Sequence, residues 1–267
     1  MQNKTSVSTL NYTDVKENEE HCNSNWPVAI LPWGSVEPHG EHLPYATDTL
    51  LAVAVATGAI EKAQISDKYK NKFMLLPALS LGVQNLGQVD KKFCLNFSPQ
   101  TQYAVLKDIV NSLWKQNVFN LVIVNGHGGN DFKPVLRRLA VEYPVMKIFV
   151  CDYLKVINDC MKPNEGFYCV KFPKVDDHAA YTETSLMLHL FGDLVEMENI
   201  KRKDLTWEKE HAPIEKYSKL RLWHPRDFDE YSENNRIGSV QNACAEHGEK
   251  MYGFITDFLS DEIKKLV

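Results

Sequence analysis

The chain has 267 residues, 44% of them hydrophobic, and its thirty Lys+Arg against thirty-five Asp+Glu give a formal charge of −5. Abundant aliphatic and aromatic residues exclude disorder as a description of the whole, and a chain of this length can bury a sizeable core without a metal or disulfide staple. The slight acidic balance and a mean hydropathy of −0.33 leave no broad basic footprint for nucleic acid.

Residues 1–26 form a polar lead with no apolar run of signal-peptide type, and a single domain is expected over 27–267. Pro27–Trp33 reads as a strand, followed by a polar loop and a helix over about Asp48–Gln64. Phe73–Leu81 is a second strand and Thr101–Gln116 an amphipathic helix. Asn120–Val124 is apolar and β-rich without polar alternation, as expected of a strand covered on both faces. A glycine-rich turn then leads to a helix over Asp131–Glu142 and a strand over Lys147–Tyr153. Glu183–Val195 and Val240–Lys265 read as helices, and Lys201–Arg236 as a charged, aromatic loop or lid that includes Trp207 and Trp223. Alternating short apolar runs and longer amphipathic segments predict an α/β fold, a three-layer α/β/α sandwich with a mostly parallel central sheet.

No stretch is long enough to cross a bilayer, so no membrane partner is expected. The six cysteines, Cys22, Cys94, Cys151, Cys160, Cys169 and Cys244, show no C-x-x-C spacing and read as free thiols of a cytoplasmic protein.

Polar residues concentrate in three places that this pattern does not explain, two of them just after predicted strands, where open α/β sheets bind ligands. The first is Gly34-Ser35-Val36-Glu37-Pro38-His39-Gly40-Glu41-His42-Leu43-Pro44, continued by Thr47-Asp48. Glu37 and His39 are two apart and can face the same side of an extended segment. Asp48 would also serve as a helix N-cap. Imidazole and carboxylate donors together suit zinc, manganese or iron better than calcium. The second is Asn125-Gly126-His127-Gly128-Gly129-Asn130, where glycines allow close backbone approach and His127 has no apolar face to rest on. The third, Asp176-Asp177-His178-Ala179-Ala180-Tyr181-Thr182-Glu183-Thr184-Ser185, supplies a further carboxylate and histidine. His21, His189, His211, His224 and His247 lack neighbours of metal-ligand type and read as structural or surface residues.

In order and spacing these segments resemble the creatininase (creatinine amidohydrolase) family: Glu37-Pro38-His39-Gly40-Glu41-His42-Leu43-Pro44 with Thr47-Asp48, Asn125–Asn130, His178-Ala179 with Glu183-Thr184-Ser185, and Ala245-Glu246-His247-Gly248-Glu249. The resemblance implies an α/β/α fold, a binuclear centre of two divalent metal ions per subunit (zinc first, manganese or iron as alternatives), and a homo-oligomer, often a hexamer. It further implies that Glu37, Asp48 and His127 hold one metal, that His39 and Asp48 hold the other with Asp48 bridging, and that His178 is the catalytic histidine. His42 matches a position that looks structural. Strict creatininases carry a glutamate two residues after the histidine matched by His127, where this chain has Gly129. Glu183 is the candidate replacement, either as the missing metal ligand or as an acid/base. The tryptophans that cover creatinine have no counterpart, because residues 151–180 contain no Trp, and the usual Gly-Glu after His-Ala is Ala180-Tyr181. Creatinine is therefore not the favoured substrate.

The activity that the resemblance implies is hydrolysis of a non-peptide C–N bond, in a cyclic amide or formamide of a small metabolite. Two ions about 3.5–4 Å apart would share a hydroxide that attacks the carbonyl, with His178 protonating the departing nitrogen. Peptide processing, lactam hydrolysis and metallophosphoesterase chemistry are the enzymatic alternatives. A non-catalytic metal-binding relative is the alternative outside that class.

Overall fold

The structure is a computed structural model, and it describes residues 5–21, 28–84, 86–201, 225, 227–232 and 234–267. Strands β1 (Val28–Trp33), β2 (Phe73–Leu75), β3 (Asn120–Asn125) and β4 (Lys147–Asp152) form one sheet in the order β2-β1-β3-β4, with every pairing parallel. β1 is buried along its whole length, the mark of a strand covered on both faces.

Strand periodicity divides the core in two. Val28, Ile30, Val122 and Val124 point to one side, where helices α2 (Thr47–Ala63), α7 (Tyr181–Leu190) and α9 (Ala245–Lys264) pack. Ala29, Leu31, Trp33, Leu121 and Ile123 point to the other, against α3 (Pro99–Lys115) and α4 (Phe132–Glu142). Alternate residues of a strand face opposite ways, so two apolar layers on one strand demand two helical layers. This is the expected α/β/α architecture with a parallel central sheet.

Local chemistry sets the helix starts. Ser98 caps α3 by accepting the Thr101 N–H at 3.1 Å, with Pro99 at the first helical position, so this helix begins two residues before the expected Thr101. Asp131 caps α4 through the Lys133 N–H at 3.2 Å. Asp48 is not a cap: α2 is capped at Ala46 and Asp48 sits inside the first turn.

The helix expected over Glu183–Val195 runs over Tyr181–Leu190, and the one expected over Val240–Lys265 begins at Ala245. The strand predicted over Phe73–Leu81 holds regular pairing only to Leu75, because Pro77 has no N–H to give the ladder; Leu79 rejoins β1 through a 3.0 Å bond to the Pro32 carbonyl. Residues after β4 form short helical turns, α5 (Tyr153–Val156) and, beyond a π-turn at Ile157–Met161, α6 (Glu165–Tyr168). The polar lead contains helix α1 (Tyr12–His21), and Thr5 accepts the Leu75 N–H at 2.9 Å, laying Thr5 and Ser6 along the outer edge of β2.

β5 (Asp176–His178) and β6 (Ile237–Gly238) pair antiparallel, apart from the main sheet. A short helix, α8 (Phe228–Tyr231), precedes β6. Cys94, Cys151, Cys160, Cys169 and Cys244 are all unbridged. Among the described residues no helix is long and apolar enough to cross a membrane. Cys22, Trp207, His211, Trp223 and His224 lie outside the described residues, as does most of the expected lid over Lys201–Arg236.

Candidate metal centre

The loop after β1 delivers Glu37 and His39, the first turn of α2 delivers Asp48, and the loop after β3 delivers His127. β5 ends on His178, and the first turn of α7 carries Glu183. All six side chains are buried, and they meet at the C-terminal end of the parallel sheet. Gly126 makes this convergence possible: a Cβ there would lie 2.4 Å from the Asp48 carbonyl oxygen, so only glycine lets the β3 loop pack onto the start of α2.

Asp48 divides its carboxylate between two histidines. Its Oδ1 is 2.9 Å from His39 Nε2, and its Oδ2 is 3.0 Å from His127 Nδ1. Glu37 Oε1 also lies 3.0 Å from His127 Nδ1. The far ring nitrogens are held by backbone carbonyls, which can only accept hydrogen bonds. His39 Nδ1 donates to the Glu37 carbonyl at 3.0 Å, His127 Nε2 to that of Val83 at 3.0 Å, and His178 Nε2 to that of Pro38 at 2.9 Å. Each neutral ring therefore turns a lone pair, not a proton, toward the carboxylates.

Lone pairs facing carboxylate oxygens in a buried site repel unless a cation or extra protons lie between them. Without an ion the balance is met by protons. Although burial opposes it, the Asp48 charge and hydrogen bond, with the charges of Glu183 and Glu37, push His39 up to about 10. His127 rises likewise against the cost of its burial, under the charge of Glu37 and the pairing with Asp48. Burial, together with the charges of Asp48 and Glu37, pushes Glu183 up to about 8 against the pull of His39 and the Ala179 N–H. Burial and the nearby charge of His39 lower His178, keeping its ring neutral near pH 7.

The donor set fits divalent metal. Glu37, Asp48 and His127 present ligand atoms within 4.8 Å of one another, and so do His39, Asp48 and Glu183; Asp48 belongs to both sets. Glu37, His39 and His178 form a third such set, with His178 Nδ1 3.8 Å from Glu37 Oε1. Separations of about 3 Å are what neighbouring ligands show when each sits about 2.1 Å from one ion. Glu37 Oε2 is buried without a hydrogen-bond partner, an acceptor that a cation would satisfy. The carbonyls behind the histidines supply the orienting contacts typical of metal-binding imidazoles.

Gly129 explains the departure noted in the sequence. A Cβ at this position would fall 2.1 Å from the Val83 carbonyl oxygen and 2.4 Å from His127 Nε2, on top of the bond that orients His127. A glutamate there has no room in this backbone. Glu183 instead enters from α7, its Oε2 accepting the Ala179 N–H at 2.6 Å.

His42 stands apart from the donor sets, hydrogen-bonded through Nε2 to Thr184 Oγ1 at 2.8 Å. His247 is bonded to the Tyr181 hydroxyl and His189 packs on Tyr252, both away from the centre. Sequence reasoning missed the supporting network behind His127. Asn130 Oδ1 accepts the Val83 N–H and the Gln102 amide, both at 3.0 Å, while Asn125 Nδ2 donates to the His127 carbonyl at 3.0 Å. The motif Asn125–Asn130 did flag both asparagines; the carbonyls of Pro38 and Val83 carry no sequence signal at all. The centre opens into a cavity of about 470 Å³ whose wall also includes Lys155, Asn158, Lys174 and Phe228. No tryptophan lines it among the described residues.

The sequence pattern of the creatininase family, creatinine amidohydrolase, matches residues 9–263. The chain belongs to the creatininase family. A crystal structure from Bacteroides fragilis, of a protein provisionally named creatinine amidohydrolase, is similar at 33% identity and a TM-score of 0.85, covering 100% of this chain and 97% of its own. The mycofactocin precursor peptide peptidase of Mycolicibacterium smegmatis is 25% identical over 240 residues, which is 90% of this chain and 85% of that one. The creatinine amidohydrolase of Pseudomonas putida is 26% identical over 201 residues, 69% of this chain and 72% of its own. Creatininase-family membership thus comes with relatives named for cleaving quite different molecules.

Proposed function

We propose that this creatininase-family chain is a two-metal amidohydrolase that cleaves an amide-type C–N bond of a small metabolite, a cyclic amide or formamide rather than creatinine. The observation that carries the reading is the division of Asp48 between His39 and His127, each ring held by a carbonyl so that its lone pair faces the carboxylates. In this reading Glu37, Asp48 and His127 hold one ion, and His39, Asp48 and Glu183 the other. A pair of divalent ions supplies a water of lowered pKa and polarises the substrate carbonyl.

The chain's own residues manage the proton. His178 is neutral near pH 7, and its Nε2 is fixed on the Pro38 carbonyl, which leaves Nδ1 as the acceptor. It takes the proton that the attacking water gives up and returns it to the departing nitrogen, so that acid and amine leave as the products. Phe228 packs edge-on against the His178 ring at 5.1 Å between centroids, restricting its tilt.

A second reading, release of a peptide segment, is favoured by the coverage of the mycofactocin precursor peptide peptidase match. Metal analysis of the purified protein, followed by a screen of formamides, cyclic amides and short peptides against chelated protein as control, tests both. Metal-dependent turnover of a formamide or cyclic amide supports the first reading, and turnover confined to peptides supports the second. Metal-replete protein inert on every C–N substrate overturns both and favours a binding role.

A further inference from the structure

The catalytic reading leaves two charged groups of the cavity wall without a task. Lys155, in α5 just after β4, and Lys174, in the segment entering β5, both line the cavity that contains Glu37, Asp48, His127 and His178. Both are exposed at its mouth, and neither has an ion-pair or hydrogen-bond partner among the described residues. The neighbouring carboxylate cannot serve them. Asp176 is paired with Lys162 at 2.7 Å and accepts both the N–H and the hydroxyl of Thr182, at 3.0 and 2.5 Å. Asp177, also in the wall, has interactions of its own.

We infer that Lys155 and Lys174 bind a free carboxylate carried by the substrate, so that the cleaved amide belongs to a molecule with an acidic arm. This deepens, and rests on, the amidohydrolase reading above. Two ammonium groups reaching one concave mouth from separate segments attract an anion, and more strongly than on an open surface because the cavity wall excludes part of the solvent. The site offers two point charges and no arginine fork, so it holds a carboxylate through its charge and needs no bidentate geometry. About 470 Å³ accommodates an amide and a carboxylate together. The carboxylate could sit on a small N-acyl amino acid or at the C-terminus of a short peptide; the chemistry at the lysines is the same.

The test compares twins that differ only in a free carboxylate or its amide: N-formylglycine with N-formylglycinamide, and a tripeptide acid with its C-terminal amide. Calorimetric binding and turnover are measured on zinc-loaded protein, for wild type, Lys155→Gln/Lys174→Gln and Lys155→Arg/Lys174→Arg, with metal content and melting temperature as controls for folding. Wild type is expected to prefer one acid twin by about tenfold, a preference that shrinks with salt and reveals which carrier the site accepts. The glutamine variant should lose that preference to within about twofold, and the arginine variant should keep it. A preference that survives in the glutamine variant, as when the metals alone hold the carboxylate, overturns the inference. So does its absence from wild type. Lysine-dependent binding without turnover of any twin would sink the hydrolase reading and leave the carboxylate site standing. Turnover without acid preference would do the reverse.

Discussion

Asp48 Oδ1 lies 2.9 Å from His39 Nε2, while the other oxygen of the same carboxylate points to a histidine on a different loop. One side chain thereby belongs to both donor sets, whereas Glu183 belongs to only one. Asp48→Asn is expected to empty both positions, and Glu183→Gln only that of His39. Metal per subunit after dialysis against a weak chelator, by plasma mass spectrometry, should read about two for wild type, about one for Glu183→Gln and near zero for Asp48→Asn. A fully loaded Asp48→Asn protein would refute the bridging role.

His178 is expected to affect chemistry and not metal content. His178→Ala should bind the wild-type complement of metal and lose about 10²–10⁴-fold in kcat, the usual worth of a positioned acid–base group. Loss of metal in this variant would place His178 among the ligands instead, in the set it forms with Glu37 and His39.

Gly129 leaves no space for a side chain between His127 and the Val83 carbonyl. Gly129→Ala should cost about 1–3 kcal/mol, as overpacking does. It should also weaken metal at the Glu37–Asp48–His127 set by displacing the ring. Gly129→Glu should not create a creatininase-like ligand. Denaturant unfolding of the chelated variants, paired with metal counts, separates the two effects. A Gly129→Glu protein with normal stability and full metal would contradict this account.

Burial, with the charges of Arg236 and His39, holds His42 down at about 3, far below its ordinary 6.5. Its Nδ1 is buried with no partner among the described residues, so a proton there would place an unmatched charge. The unfolded chain takes up this proton below pH 6.5 and the folded chain refuses it until about 3, so His42 lowers stability as pH falls through that window. His42→Gln should flatten the pH dependence of unfolding free energy between pH 6.5 and 4.5 by up to one proton equivalent. Urea titrations at several pH values measure the slope; an unchanged slope would show that other groups dominate acid sensitivity.

Much of this was legible because strand and helix patterns are local. Asn120–Val124 declared a doubly covered strand by its unbroken apolar run, and it is one of the two inner strands on which both cores rest. The strand predicted over Phe73–Leu81 was cut short at Leu75 because Pro77 withholds a hydrogen bond. The charged segment 202–224 lies outside the described residues.

By itself, the sequence determined which residue types were available for metal chemistry and that two of the three clusters would lie at the ends of parallel strands. Glycine spacing and paired His and carboxylate residues are properties of short segments, readable without a fold. Only the tertiary structure decided that Glu183, 135 residues beyond Asp48, closes the second donor set, that Gly129 cannot do so, and that Lys155 and Lys174 share one cavity mouth. These depend on how α7 and the turns after β4 pack against α2 and α9, a balance of many apolar contacts that no single segment encodes.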